Sequence, residues 1–363
     1  MVSAQLLEGT SQPAHELRCT APWEHRHRAR QPILTRDGRV YGYELSYRDC
    51  PTSARAPGDL VYESLTDDAH LFIDMDDGLG RGPVPVLPNG RSVVEVAGSV
   101  RATPIVVRSL ELLRQCGVSI ALDDFQFDAC SLPLLRHVDY VKVDIQACSG
   151  RLDEIVRRVE PYNLPLIGDK VETHAEVARC WELGFNLFQG NYFAAPDPQN
   201  VARIDVAALG LAPLITELQD PELSARELRT CWASLERRLK SCGNKSAELF
   251  VLAAIRGRLC QALGESTGEF PPNELLILGL LSVLDAVLDK PMQTLVAELP
   301  LAPRLSAALC ADEFSALGRI LNQARAYAAA DWAALDPMTP DQERRLSRAY
   351  TEAVLDGAGA TAA

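Results

Sequence analysis

Histidine is scarce and confined to the front of the chain. The six lie at positions 15, 25, 27, 70, 137 and 174, which excludes a histidine-based metal site or a His-Asp hydrolytic pair from everything after His174. No CxxC pair occurs among the ten cysteines (19, 50, 116, 130, 148, 180, 231, 242, 260 and 310), and no apolar leader precedes them. That scatter suits free thiols in a reducing cytoplasm better than a disulfide framework. Long apolar runs are also missing. The longest, Leu275 to Leu288, is interrupted by Gly279, Ser282 and Asp285. It falls short of the roughly 20 residues that cross a bilayer, so it reads as a buried helix and no membrane span is expected. Basic residues are outnumbered, 36 Lys and Arg against 49 Asp and Glu, for a formal net charge of -13. Polyanion affinity comes largely from cations displacing counterions, so DNA is not an expected partner.

What is present is ordinary globular material. With 363 residues, 47% hydrophobic and 23% charged, the chain can bury two cores of usual size. From about Arg30 to Pro196, short β-branched or apolar runs alternate with segments of helical period, the pattern of βα units. The runs are Gln31 to Leu34, Val40 to Ser46, Leu71 to Met75, Ser92 to Val96, Ser119 to Asp123, Tyr140 to Asp144, Leu164 to Gly168 and Asn186 to Gln189. Eight runs suggest a barrel, and Arg36-Asp37-Gly38 between the first two predicts an antiparallel hairpin at its start. Helical spacing marks Ile105 to Cys116 and Glu154 to Pro161. After Pro196 only helical patterns remain: a capping box at Ser224 and Glu227 opens one ending near Cys242, and others cover Ala247 to Leu263, Asn273 to Leu288 and Glu313 to Ala329. The expected organisation is a disordered or extended segment over 1–27, a barrel over 28–197, a helical domain over 198–356 and a disordered tail over 357–363.

Carboxylates recur where the strands should end: Glu44, Asp74, Glu95, Asp123 with Asp124, Asp144, and Glu172. In a βα barrel those ends converge on one face, where catalysis takes place. So many negative charges repel one another unless a cation joins them, and oxygen ligands with little histidine favour magnesium or manganese over zinc. A single acid at a strand end is most often a solvated loop residue or helix cap. The adjacent Asp123-Asp124, and Lys142 inside an apolar run, are less easily dismissed.

At these residues the chain resembles the EAL family of cyclic-di-GMP phosphodiesterases, and more closely the EAL-HDOD architecture. Gly42-Tyr43-Glu44-Leu45-Ser46 resembles the name-giving segment, Ala121-Leu122-Asp123-Asp124-Phe125 the DDF motif, and Val141-Lys142-Val143-Asp144 the KxD strand. Lys170-Val171-Glu172-Thr173 resembles the VET segment and Gln189-Gly190-Asn191-Tyr192-Phe193 the QGYxF strand. Pro272 to Ala286 and the Asp331-Trp332 pair resemble the helical, HDOD part of that architecture. The resemblance implies a shortened, modified TIM barrel with its first strand antiparallel, followed by an all-α domain. It implies Mg2+ or Mn2+ held by Glu44, Glu95 and Asp123, with Asp74 where the family has asparagine. Glu172 would orient or deprotonate the attacking water, and Asp124, Asp144 and Lys142 would organise a second metal and that water. Gln31, Arg48 and Gln189 would hold cyclic di-GMP.

The chain departs from the family at Gly98, where active members usually have a second glutamate, and in the loop Asp124 to Ser131, which has lost its glycines. That loop is associated with dimer contacts and metal ordering, so homodimerisation and metal order both turn on it. Three functions are consistent with these features: a cytoplasmic, metal-dependent phosphodiesterase regulated by a helical domain that also meets a protein partner; a non-catalytic cyclic-di-GMP effector; and an adaptor without a nucleotide site.

Overall fold

The computed structural model describes residues 26–49, 69–74, 90–125, 131–197, 209–241, 245–265, 268–310 and 314–361, with side chains at 26–28, 47–49, 225 and 357–361 outside that description. Eight strands close into a barrel in sequence order. They are β1 (Arg26–Thr35), β2 (Val40–Asp49), β3 (His70–Asp74), β4 (Ser92–Ala97), β5 (Ser119–Asp123), β6 (Tyr140–Asp144), β7 (Leu166–Asp169) and β8 (Leu187–Gln189). The strand from β1 turns at Arg36-Asp37-Gly38, where Thr35 N–H donates to the Arg39 carbonyl at 2.9 Å. As a result β1 runs antiparallel to both of its neighbours, β2 and β8, while the remaining pairs are parallel.

The period of two along each strand sends alternate residues inward. Ile33, Phe72, Val93, Ala121, Ile167 and Leu187 meet there as a dry layer, with Tyr41 and Tyr140 packed beneath it. A second layer of apolar side chains covers the outside of β4 to β8 under the helices. Three helices are described around the barrel: α1 (Pro104–Gln115), α2 (Leu152–Val159) and α3 (His174–Glu182). The first begins where the Thr103 side chain accepts from Val106 N–H, with proline just inside the helix, and the third at a capping box of Thr173 and Glu176. Between β5 and β6 the described connection is only a 3₁₀ turn, Leu132–Arg136.

The second half is helical throughout its described residues. It comprises α4 (Leu211–Leu218), α5 (Ala225–Lys240), α6 (Glu248–Gly264), α7 (Pro272–Leu281), α8 (Leu284–Leu288), α9 (Met292–Glu298), α10 (Pro303–Leu309), α11 (Ala316–Ala328) and α12 (Pro340–Thr361). The capping box of Ser224 and Glu227 is present. The run Leu275 to Leu288 is two helices and not one. Ser282 ends the first, its hydroxyl donating to the Gly279 carbonyl at 2.7 Å and competing with the helical bond there. Asp285 opens the second half-buried, accepting from Ala286 N–H at 2.9 Å. The last helix continues to Thr361, so 357–361 is helical where small residues suggest a disordered tail; Ala358 and Ala360 are good helix formers. Residues 1–25, 362 and 363 lie outside the description, as does Cys242, the expected end of the helix that Ser224 opens. Among the described residues, no helix is long and apolar enough to cross a membrane.

The two halves meet along β1. Arg30, 5% exposed, reaches from the strand to both oxygens of Glu248 on α6 at 3.3 and 3.4 Å. Tyr43 on β2 donates its hydroxyl to the same carboxylate at 2.9 Å, and the Arg30 guanidinium lies 4.1 Å above the Tyr43 ring. Arg30 N–H also donates to the Tyr350 hydroxyl on α12 at 2.8 Å.

Candidate active site

One same-face step beyond the dry layer, the inward positions change from apolar to polar. Gly42 is followed by Glu44, Phe72 by Asp74, Val93 by Glu95, Ala121 by Asp123, Tyr140 by Lys142, Ile167 by Asp169 and Leu187 by Gln189. On β1, which runs the other way, the step from Ile33 leads back to Gln31. Closure of the sheet places all of these side chains at one mouth.

Lys142 occupies the centre and is 2% exposed. Its Nζ lies 2.5 Å from Glu44 Oε2, 3.1 Å from Glu95 Oε1 and 3.7 Å from Asp123 Oδ1. Burial alone would push its pKa down. The charges of Glu44, Glu95, Asp123 and Asp169 outweigh burial, and the ammonium is held well above its ordinary value. The carboxylates divide. Burial raises Glu95 well above its usual range, with help from Glu44 and Asp123. Burial also raises Asp123, with Glu44 and Asp124 adding to the effect. Glu44 opposes its own burial with Lys142, Gln189 and Lys170 and is lowered.

Gln189 Nε2 donates to Glu44 Oε2 at 2.7 Å and to Gln31 Oε1 at 3.1 Å. Gln31 Nε2 then donates to the Ala329 carbonyl at 2.6 Å, at the end of α11. A continuous chain of hydrogen bonds therefore runs from the helical half into the mouth of the barrel.

Three buried acceptors here, Glu95 Oε2, Asp123 Oδ1 and Gln189 Oε1, have no hydrogen-bond donor. Orphaned carboxylate oxygens, that of Glu95 on a residue at 0% exposure, are donor chemistry that suits a hard cation. As the side chains stand, with Lys142 between them, no group of three or more His, Cys, Asp or Glu among the described residues is arranged to hold an ion.

The other sequence candidates stand further out. Asp74 is in register with Glu95 but exposed. Asp124 is exposed with φ of 47°, and Glu172 is exposed. Asp144 accepts from Gln146 and Ala147 N–H, both at 2.9 Å, and from Lys170 Nζ at 2.6 Å. The Arg48 side chain lies outside the described residues.

Gly98 has a local reason. Its N–H donates to the Asp123 carbonyl at 2.6 Å, and a Cβ there would stand 2.8 Å from the carbonyl oxygens of both Asp123 and Asp124. The left-handed turn at Asp124 brings backbone to where a side chain would be, so a glutamate does not fit without moving the DDF segment.

Sequence reading missed Asp169. It belongs to the same inward row, and burial lifts its carboxyl to about 6, with the nearby charge of Glu44 reinforcing the rise. Below about pH 4 this group favours the fold, and that contribution is lost as pH rises through about 6. Moving a carboxyl from 3.8 to about 6 costs at most about 3 kcal/mol, trimmed by its partial exposure. Asp169→Asn should therefore stabilise chelator-treated protein by about 2 kcal/mol at pH 7.5 and by about a third of that at pH 4.5, where the unfolded carboxyl is already mostly ionised. Denaturant titrations at the two pH values check this, and an equal effect at both would refute it.

An EAL domain family model matches residues 86–196, which span β4 to β8 and leave out the strands carrying Gln31, Glu44 and Asp74. The cyclic di-GMP phosphodiesterase CdgJ of Vibrio cholerae is 26% identical over 374 residues, covering 84% of this chain and 85% of that protein. The uncharacterized protein YuxH of Bacillus subtilis is 25% identical over 349 residues, covering 77% and 85%. A crystal structure of a standalone EAL protein from Vibrio cholerae O395, in a c-di-GMP bound form, aligns with 47% of this chain and 92% of its own at 21% identity and a TM-score of 0.36.

Proposed function

We propose that this chain acts in bacterial cyclic-di-GMP signalling, as a phosphodiesterase that opens cyclic di-GMP to the linear dinucleotide pGpG under the control of its helical half. The observation that carries the reading is the buried Lys142 among Glu44, Glu95 and Asp123 at the mouth of a closed barrel. The Vibrio cholerae phosphodiesterase CdgJ aligns over 84% of this chain, which supports reading both halves as parts of one signalling protein; the HDOD-type assignment of the helical region rests on its sequence resemblance. A cytoplasmic location follows from the nucleotide that such a protein serves.

In this reading the strand ends divide the work. Glu44, Glu95 and Asp123 would hold a divalent ion, whose chemistry there would be to polarise a phosphate oxygen and make a water more acidic. Lys142 holds the three carboxylates together and offsets their repulsion. Gln189 and Gln31 present amide groups to the dinucleotide, and Arg48 suits a phosphate because its guanidinium bonds two oxygens. The water oxygen forms a bond to phosphorus while the bond to the 3′ oxygen breaks, and the departing oxygen takes a proton. Asp169, which belongs to the same inward row and whose carboxyl is raised to about 6, is our candidate to receive the proton of the attacking water. Glu172 keeps its sequence-based candidacy only if the segment after β7 turns inward.

An effector reading has one specific observation in its favour: Lys142 already neutralises the carboxylates that would otherwise demand a metal. The experiment is turnover of cyclic di-GMP by purified protein with magnesium or manganese, beside Glu44→Ala and a binding titration in chelator. Linear dinucleotide from wild type and none from Glu44→Ala supports the enzyme. Binding without turnover makes the chain an effector, and neither makes it an adaptor.

A further inference from the structure

We infer that Lys170 is a resident cation in the outer half of the mouth, occupying with its ammonium the seat of a second divalent ion, so that this protein binds one ion where its carboxylates would otherwise take two. The inference rests on the metal-dependent reading above. Lys170 follows β7 directly and has φ of 56°, the left-handed region that a lysine seldom adopts. Glycine takes that backbone freely, so the side chain has to contribute something there. What it makes is a 2.6 Å contact from Nζ to Asp144 Oδ2. The other oxygen, Oδ1, is used by the N–H groups of Gln146 and Ala147. Both oxygens of Asp144 are thus engaged by the protein itself.

The neighbouring acids belong to the same arrangement. The charges of Asp144, Asp124 and Asp169 all act on the Lys170 ammonium. The mouth therefore has two acidic groups, each with its own lysine, Lys142 buried at 2% side-chain exposure and Lys170 open at 56%, and they differ also in how far the acids are satisfied. Around Lys142, the buried Glu95 Oε2 and Asp123 Oδ1 still lack a donor. Around Lys170, the carboxylate in contact has both oxygens satisfied. An entering ion finds a lysine in both groups, but beside Lys142 it also finds carboxylate oxygens without a donor, and on Asp144 beside Lys170 it finds none.

The test is Mn2+ binding to the full chain, read by calorimetry and by the electron spin resonance of free Mn2+, for wild type, Lys170→Arg, Lys170→Met and Lys170→Gly. Lys170→Gly suits the left-handed backbone, so its folding is not in question, while Lys170→Met removes the charge and keeps the strain. One ion per chain is expected for wild type and Lys170→Arg, and two for Lys170→Met and Lys170→Gly. Two ions in wild type, or no gain in either neutral variant, overturns the inference and leaves the metal-dependent reading intact. No ion in wild type with one in Lys170→Met keeps Lys170 as the occupant and sinks that reading for the natural protein. No ion in any variant ends both.

Discussion

Lys142→Met is expected to cost the metal-free protein about 3–5 kcal/mol of stability and to lower turnover by about a hundredfold or more. The substitution preserves length and burial and removes the charge. Glu44, Glu95 and Asp123 would then face one another at 16%, 0% and 26% side-chain exposure with no ammonium between them. Breaking a buried ion pair from one side is costly because the remaining charges have been taken out of water and left without compensation. Glu95 should respond most, since burial and its neighbours already raise its pKa and Lys142 is what opposes them. Protonating it relieves the variant, so the loss should be smaller at pH 5.5 than at pH 7.5. Adding Glu95→Gln to Lys142→Met should recover a good part of it. Urea titrations of the single and double variants at both pH values measure this; a pH-independent loss below about 1 kcal/mol would mean that the cluster is solvated.

Glu248→Ala should destabilise the protein by a similar amount, about 3–5 kcal/mol, although it is not among the inward-facing strand-end residues. The change removes the carboxylate that Arg30 reaches at 3.3 Å and that the Tyr43 hydroxyl reaches at 2.9 Å. Arg30 is left almost fully buried under α6, and the polar groups of the two strands lose their shared acceptor. Glu248→Gln, which keeps an acceptor, should lose less. The double change Arg30→Met with Glu248→Leu should fall well short of the sum, because it removes both charges together. Denaturation of wild type, Arg30→Met, Glu248→Leu and the double variant gives the coupling directly, and additive losses would show that the pair contributes nothing as a pair.

Much of the barrel was legible because each strand announces itself twice, by a β-branched run and by the polar residue that ends it. Ser119-Ile120-Ala121-Leu122-Asp123 and Tyr140-Val141-Lys142-Val143-Asp144 are strands over those very residues. Asp169 escaped because Gly168-Asp169-Lys170 looks like a turn. Counting in steps of two from the apolar layer would have found it, since Ile167 faces inward and Asp169 is the next residue on that face. The break of the Leu275 to Leu288 helix depends on a hydroxyl bonding back to Gly279, which apolar periodicity does not register. Least legible was the junction of the halves. Arg30 and Glu248 are 218 residues apart, and neither lies in a motif. The glycine at 98 was legible as a departure from the family, but its close approach to the carbonyls of Asp123 and Asp124 was not, because no motif conveys a backbone contact.

The bond from Gln31 to the Ala329 carbonyl has a thermodynamic corollary. The amide hydrogen given to Ala329 cannot at the same time serve a molecule in the barrel, so the end of α11 and a ligand that needs that hydrogen are rivals. Rivalry of this kind is reciprocal: whatever draws Ala329 away raises the ligand's affinity by some factor, and the ligand loosens the end of α11 by the same factor. The helical half could then be read out from the barrel as readily as the barrel from the helical half, and a chain that never turned over its nucleotide would still carry a signal in both directions.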